Sequence, residues 1–165
     1  SRLRYLYDIM ASRVTTVMSN AANLADEVTQ ADLVIGAVLV PGARTPRLIT
    51  DDLVSQMRPG AAFVDIAIDQ GGCSETSHPT THHDPTFLVH DVVHYCVGNM
   101  PGAVPRTSTY ALTNVTLGYG LAIADRGVDA AIAADSAIRS GINTYKGKLT
   151  CKGVADAFGL DYSEI

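Results

Sequence analysis

Ala62-Phe63-Val64-Asp65-Ile66-Ala67-Ile68-Asp69-Gln70-Gly71-Gly72-Cys73 passes from an apolar stretch through two carboxylates into a Gly-Gly turn. Residues 62–66 read as a buried strand, and the stretch as a whole as a strand that delivers the Asp69 carboxylate directly into a glycine loop. Just upstream, Pro59-Gly60 stops a helix that Thr50 caps, with Asp51 and Asp52 in its first turn matching the positive end of the helix dipole. Residues 33–39 before it read as a second buried strand, and Asn20 caps a helix running to about Gln30. Val14-Thr15-Thr16-Val17-Met18 is a β-branched run of strand character, and Leu3, Tyr5, Leu6, Ile9 and Met10 recur ahead of it at helical spacing. This βαβαβ alternation predicts an α/β fold, a doubly wound parallel sheet with helices on both faces, because parallel strands need a crossover between them.

Downstream the pattern loosens. Residues 69–85 are rich in Gly, Ser, Thr, Pro and His, a loop long enough to be functional or mobile. Residues 87–97 return to strand character, residues 99–105 are irregular, and Thr107 or Ser108 opens a long apolar helix to about Asp125. A short helix over residues 131–139 stopped by Gly141, and a Thr150-capped helix ending at Gly159, complete a mostly helical tail. The expected division is a sheet unit over residues 1–105 and a separate segment over 106–165.

Composition narrows the function. At 165 residues and 47% hydrophobic the chain can bury a core, and a net charge of −5 with scattered basic residues gives no reason to bind nucleic acid or an anionic membrane. The longest apolar run, residues 33–40, is closed by Pro41-Gly42, well short of the roughly 20 residues that cross a bilayer. Cys73, Cys96 and Cys151 are odd in number and lack C-x-x-C spacing, which fits a reducing cytoplasm better than a disulfide framework or a zinc site. With no initiator Met and with Arg2, Arg4 and Asp8 interrupting any signal-like stretch, the chain is expected to start inside a longer protein.

In open parallel sheets ligands sit beyond the carboxyl ends of the strands, and three such ends carry unusual residues. Val38-Leu39-Val40-Pro41-Gly42 is either an ordinary turn or one that lets backbone approach a cofactor. Asp69 is either a turn former or a positioned carboxylate that transfers a proton or holds developing positive charge. Asp65, about 13 Å away if the strand continues at about 3.3 Å per residue, is too far to form a dyad with it. At Val97-Gly98-Asn99-Met100-Pro101 the Asn amide can pair with a carboxamide or carboxylate, or simply turn the chain. His78, His82, His83, His90 and His94 invite a metal reading, but His90 and His94 on one strand stand about 13 Å apart, too far to share a zinc ion. Cys73 and Cys96 lack a patterned base and read as structural.

Residues 31–42, the Asp65 to Cys73 run, and Asn99-Met100-Pro101-Gly102-Ala103-Val104-Pro105-Arg106-Thr107-Ser108-Thr109-Tyr110-Ala111-Leu112-Thr113-Asn114 together closely resemble bacterial alanine dehydrogenases, which oxidatively deaminate L-alanine to pyruvate and ammonium with NAD. The resemblance implies a Rossmann-like nucleotide domain at 1–105, and at 106–165 a C-terminal segment of the substrate domain. It places Asp69 beside the substrate carbon and the nicotinamide, and Asn99 against nicotinamide or pyruvate. Ile66, Ala67, Ile68, Val97, Gly98 and Met100 line the nicotinamide pocket, Val38 and Leu39 lie toward the adenosine, Ser19 at the adenine end and Arg2 near the ribose. His78 replaces an Arg that contacts the nucleotide in some members, and Arg126 replaces a histidine implicated in metal binding, so no metal is expected. The G-x-G-x-x-G loop and ribose-binding acid precede the position where this chain begins, and Gly118 and Gly120, inside a helical run, do not substitute for them. The expectation is therefore an incomplete Rossmann-like unit, inactive alone, with exposed apolar surface over residues 110–123, a missing N-terminal half as partner, and hexamers in the whole enzyme. The alternatives are the nucleotide-binding segment of a transhydrogenase, or a non-catalytic remnant that binds a protein.

Overall fold

The computed structural model describes residues 2–11 and 13–165. Helix α1 (Arg2–Met10) has no buried residue. The β-branched run 14–18 forms no strand; β propensity needs a partner ladder to be realised, and none is offered here. Asn20 caps α2 (Ala21–Gln30) by accepting from the Asn23 amide, which leads into strand β1 (Leu33–Gly36). Thr50 likewise caps α3 (Asp51–Ser55) through the Leu53 amide, but that helix ends at Gln56, before the Pro59-Gly60 stop. Strand β2 (Ala62–Asp65) follows, then a 3₁₀ turn, Ile66–Gln70.

The expected strand at 87–97 is instead an antiparallel hairpin, β3 (Thr86–Val89) and β4 (Val92–Tyr95), turned by His90 and Asp91 at φ of 51° and 60°. The sheet order is β1-β2-β4-β3, with β1, β2 and β4 parallel.

Register explains the packing. Val34, Phe63 and His94 pair across three strands and share one face. On that face Phe63 packs with Val28 of α2, Leu53 and Val54 of α3, and Ile49, Met57, Ala61 and Val92. Helices α2 and α3 touch each other. The opposite face, expected to be covered, is open: Leu33, Ile35 and Leu88 are more than half exposed. Strand β1 is thus shorter than the run 33–39 and buried on one side only.

Beyond a second 3₁₀ turn (Met100–Ala103), helix α4 (Pro105–Arg126) starts at Pro105 rather than behind Thr107 or Ser108. Proline fits the first helical position because its missing N–H would be unpaired there anyway. The Ser108 hydroxyl is occupied with the Pro101 and Val104 carbonyls. No residue of α4 is buried, and Leu112, Val115 and Leu117 are each over 60% exposed. The tail helix divides at Asp135, which caps α6 (Ser136–Ser140) after α5 (Val128–Ala134). Strands β5 (Thr144–Tyr145) and β6 (Lys148–Leu149) form a hairpin before α7 (Lys152–Phe158). Thr150 does not cap α7; its hydroxyl donates to Ile142, and Cys151 occupies the cap position. Ala131, Ile132 and Ile138 make a second small core with Ala122 and Ile123 of α4. A Cβ on Gly153 of α7 would overlap the Gly42 carbonyl, so the two backbones meet.

Candidate functional site

Strand β2 ends one turn before Asp69. Its last residue, Asp65, caps the 3₁₀ turn by accepting from the Ala67 amide at 3.0 Å. Asp69 therefore stands on a 3₁₀ turn, not on a strand running into the glycines, and the extended-chain separation of about 13 Å between the two carboxylates does not apply. Gly71 and Gly72, at φ of 98° and 78°, reverse the chain, and the Cys73 amide then returns to donate to Asp65 Oδ2 at 2.9 Å. Asp65 is fully buried while Asp69 is exposed, so the two carboxylates have different jobs.

The end of β4 meets that turn. The Asn99 amide lies 3.4 Å from both Asp69 oxygens. Gly98 keeps the approach open, since a Cβ there would sit 3.4 Å from Asp69 Oδ1. Asn99 itself is left-handed (φ 56°, ψ 53°), a conformation that Asn tolerates better than most side chains. Its carbonyl accepts from the Gly102 amide at 2.9 Å and from His82 Nε2 at 3.1 Å.

Asp69, Gly98 and Asn99 thus come together at two neighbouring strand ends, with Met100 half-buried next in sequence. Ile66 and Leu39 are 52% and 66% exposed. Ala67, Ile68 and Val97 are buried, so what they can offer a ligand is backbone. Val38 is half-buried against the main core. Ser19 is exposed just before the α2 cap, and Arg2 lies over the Tyr5 ring at 4.9 Å. Among the described residues neither is hydrogen-bonded to Asp69 or Asn99.

The histidines differ in their surroundings, although His78 and His94 both stack on Phe87. His90 turns the β3–β4 hairpin and reaches Asp51 at 3.1 Å, whereas His78 stacks on Phe87 with ring centroids 3.7 Å apart. His94, fully buried on β4, has Nδ1 3.0 Å from the Val92 carbonyl and Nε2 2.8 Å from Thr76 Oγ1. The single-strand argument for separating His90 from His94 does not apply, since His90 belongs to the turn; His90 pairs with Asp51, and His94 with Thr76 and Val92. Burial pushes the His94 pKa down, partly opposed by the Val92 bond. Burial, with Asp65 adding to it, pushes the Cys73 thiol up to about 12, and burial raises Cys96 as well. Both thiols are thereby poor nucleophiles, as their lack of a patterned base implied.

One part of the site was invisible in the sequence. A cleft of about 540 Å³ runs along Asp69, Gln70 and Gly71, walled by Gly42, Ala43, Arg44, Thr45 and Arg47 on one side and by Val154 and Phe158 of α7 on the other. The meeting of Gly153 and Cys151 with Gly42 brings α7 there, and no local pattern announces a contact between such distant segments.

Parallel strands β1, β2 and β4, with Asp69 and Asn99 gathered beyond their carboxyl ends, place the sheet unit in the Rossmann-like α/β class. The chain belongs to the alanine dehydrogenase/PNT C-terminal domain family, whose profile matches residues 1–152. It is 57% identical to an alanine dehydrogenase of Halomonas elongata and 55% identical to one of Staphylococcus haemolyticus, over 99% of this chain and 44% of each relative. A solved L-alanine dehydrogenase superposes on 96% of the chain with a TM-score of 0.81 at 49% identity, 44% of that protein being covered. The transhydrogenase of Sinorhizobium meliloti matches less well, with a TM-score of 0.55 and 26% identity over 64% of this chain and 30% of the other. The chain therefore spans under half the length of the relatives it matches. Among the described residues no helix is long and apolar enough to cross a membrane.

Proposed function

We propose that this chain supplies the nicotinamide side of the active site of an NAD-dependent alanine dehydrogenase, which converts L-alanine, NAD⁺ and water to pyruvate, ammonium, NADH and a proton. The observation that carries the reading is the junction of the Asp69 carboxylate with the Asn99 backbone amide at adjacent strand ends, with the exposed Ile66 side chain on the same 3₁₀ turn as Asp69. Apolar surface next to a side-chain amide suits a flat ring bearing a carboxamide, and Gly98 leaves that approach free of a side chain. When bound, NAD accepts the hydride from the alanine α-carbon. Asp69, exposed on its turn, provides negative charge next to the carbon that becomes an iminium, and can take a proton from the water that adds to it. Asn99 pairs its amide with the carboxamide or the keto acid. The cleft along Asp69 has room for a three-carbon amino acid.

The rest of the assignment follows the same reading. Ala67, Ile68, Val97, Gly98 and Met100 surround the nicotinamide, Val38 and Leu39 face the adenosine, and Ser19 and Arg2 serve the adenine and ribose ends. Residues 106–165 belong with the substrate domain, and the whole enzyme is a cytoplasmic hexamer. Without a G-x-G-x-x-G loop to hold the pyrophosphate, the 165 residues by themselves turn over no alanine.

The test is NADH formation from L-alanine by the longest natural polypeptide carrying this segment. Asp69→Asn should lower kcat by about 10² to 10⁴-fold, the usual contribution of a positioned acid–base group. A parent protein that is inactive with alanine but exchanges hydride between nucleotides is a transhydrogenase, and an Asp69→Asn variant with parental kcat removes Asp69 from the chemistry.

A further inference from the structure

Asp65 is a carboxylate with no exposed surface and no cation in contact among the described residues. Burying an unpaired charge is expensive unless hydrogen bonds replace its water. Here they do: Oδ1 accepts from the Ala67 amide at 3.0 Å and from Cys73 Sγ at 3.5 Å, while Oδ2 accepts from the Cys73 amide at 2.9 Å and from Ser77 Oγ at 2.6 Å. The Ser77 contact is the shortest of the four. Ser77 in turn accepts from the Cys96 thiol at 3.8 Å, on the far side of β4 from the hairpin.

The pattern of these bonds matters more than their number. Ala67 opens the segment that carries Asp69, and Cys73 closes it after the two left-handed glycines. One carboxylate therefore grips both ends of a short loop, and a neutral amide could not, because one of its two positions is a donor facing donors. A Cβ on Gly72 would sit 3.0 Å from Asp65 Oδ2 and 3.1 Å from the Ser77 Cβ, so a side chain there would push on both residues of this network.

We infer that Asp65, with Ser77 completing its donor set, is a positioning residue for the dehydrogenase reaction, fixing the 3₁₀ turn so that Asp69 stands against the Asn99 amide. The inference rests on Asp69 acting in the reaction as proposed above. Displacement of a catalytic group by about 1 Å can cost on the order of 100-fold in rate, so a loosened turn should register in turnover before it registers in nucleotide binding.

The experiment uses the full-length polypeptide carrying this segment, with Asp65→Asn, Ser77→Ala and Ser77→Thr variants. At a temperature where circular dichroism shows each fully folded, Asp65→Asn should lower kcat about 10- to 100-fold. The NADH dissociation constant, read by fluorescence, should stay within about threefold, and amide hydrogen exchange over residues 66–73 should speed up at least tenfold. Ser77→Ala, which leaves the carboxylate in place, should move kcat and exchange in the same direction by a smaller factor, and Ser77→Thr, which restores the hydroxyl, should recover both. If Asp65→Asn does not fold, the serine pair carries the test. Parental kcat and parental exchange in folded Asp65→Asn, or in Ser77→Ala where it alone folds, overturn the inference. So does a kcat loss shared equally with nucleotide affinity. Failure of the underlying reading looks different: the parent does not oxidise alanine, or Asp69→Asn keeps its rate.

Discussion

Replacing Gly36 with Ala puts a methyl group where the structure has no room for one. The new Cβ would overlap Cys73 Sγ, with Phe63 Cζ 3.4 Å and Asp65 Oδ1 3.6 Å behind it, so the methyl cannot back away and Cys73 must yield. Overfilling a packed interior costs about 1–3 kcal/mol. The thiol belongs to a residue whose amide is bonded to a buried carboxylate, and a backbone shift that broke that bond would add about 1.5–3 kcal/mol. The expected destabilisation is therefore at least about 1 kcal/mol, rising to about 2.5–6 kcal/mol if that bond also breaks. Equilibrium urea denaturation followed by circular dichroism measures it. The decisive comparison is a cycle with Cys73→Ala, which alone should cost about 1 kcal/mol. In the double variant the methyl occupies the space the sulfur left, and a favourable coupling of about 1–2 kcal/mol is expected for two groups in direct contact. A Gly36→Ala protein within about 0.5 kcal/mol of the parent, or costs that simply add, would refute the proposed clash.

Two other outcomes follow from the buried groups. His94 is held neutral, so the unfolded chain binds one more proton than the folded one below pH 6.5, and stability is kept above that pH and lost as pH falls toward the depressed folded value. The slope should reach up to about 1.4 kcal/mol per pH unit, and His94→Gln should remove its share; urea midpoints of that variant that track the parent between pH 7 and 5 would count against it. With Cys73 and Cys96 buried and their thiols raised, a thiol reagent at pH 8 should modify Cys151 readily in the folded protein and the other two only after denaturation, an assignment that equal native labelling of Cys73 would contradict.

Helix starts at Asn20 and Thr50 were legible because a cap is a local event, one side-chain oxygen meeting an amide three residues on. That the strands at 33 and 62 lie parallel was legible for a related reason: apolar runs separated by a helical pattern need a crossover between them. Strand ends were harder. Ile66, Ala67 and Ile68 look like more strand, yet the Asp65 side chain captures the Ala67 amide and turns the backbone, a competition between side chain and ladder that apolar patterning does not register. The β3–β4 hairpin hid for want of glycine, since His90 and Asp91 carry a turn that Asn-Gly would have advertised. At the site, Asp69 and Asn99 stood out as polar residues at strand ends, but their contact depends on β2 and β4 being neighbours. The roles of Asp65 and of the α7 wall depend on chain segments meeting in space.

The meeting of Gly153 with Gly42 also bears on when the cleft becomes complete. Helix α7 leaves the ribosome long after the loop behind β1 that it touches. Contacts between such remote stretches are closed late, after the entropy of the intervening chain has been overcome. The sheet, with its neighbouring strands and short connections, can form before residues 152–158 are made, but one wall of the cleft beside Asp69 cannot. A ribosome stalled within the tail would therefore hold a nascent chain whose sheet is folded and whose pocket is still missing a side.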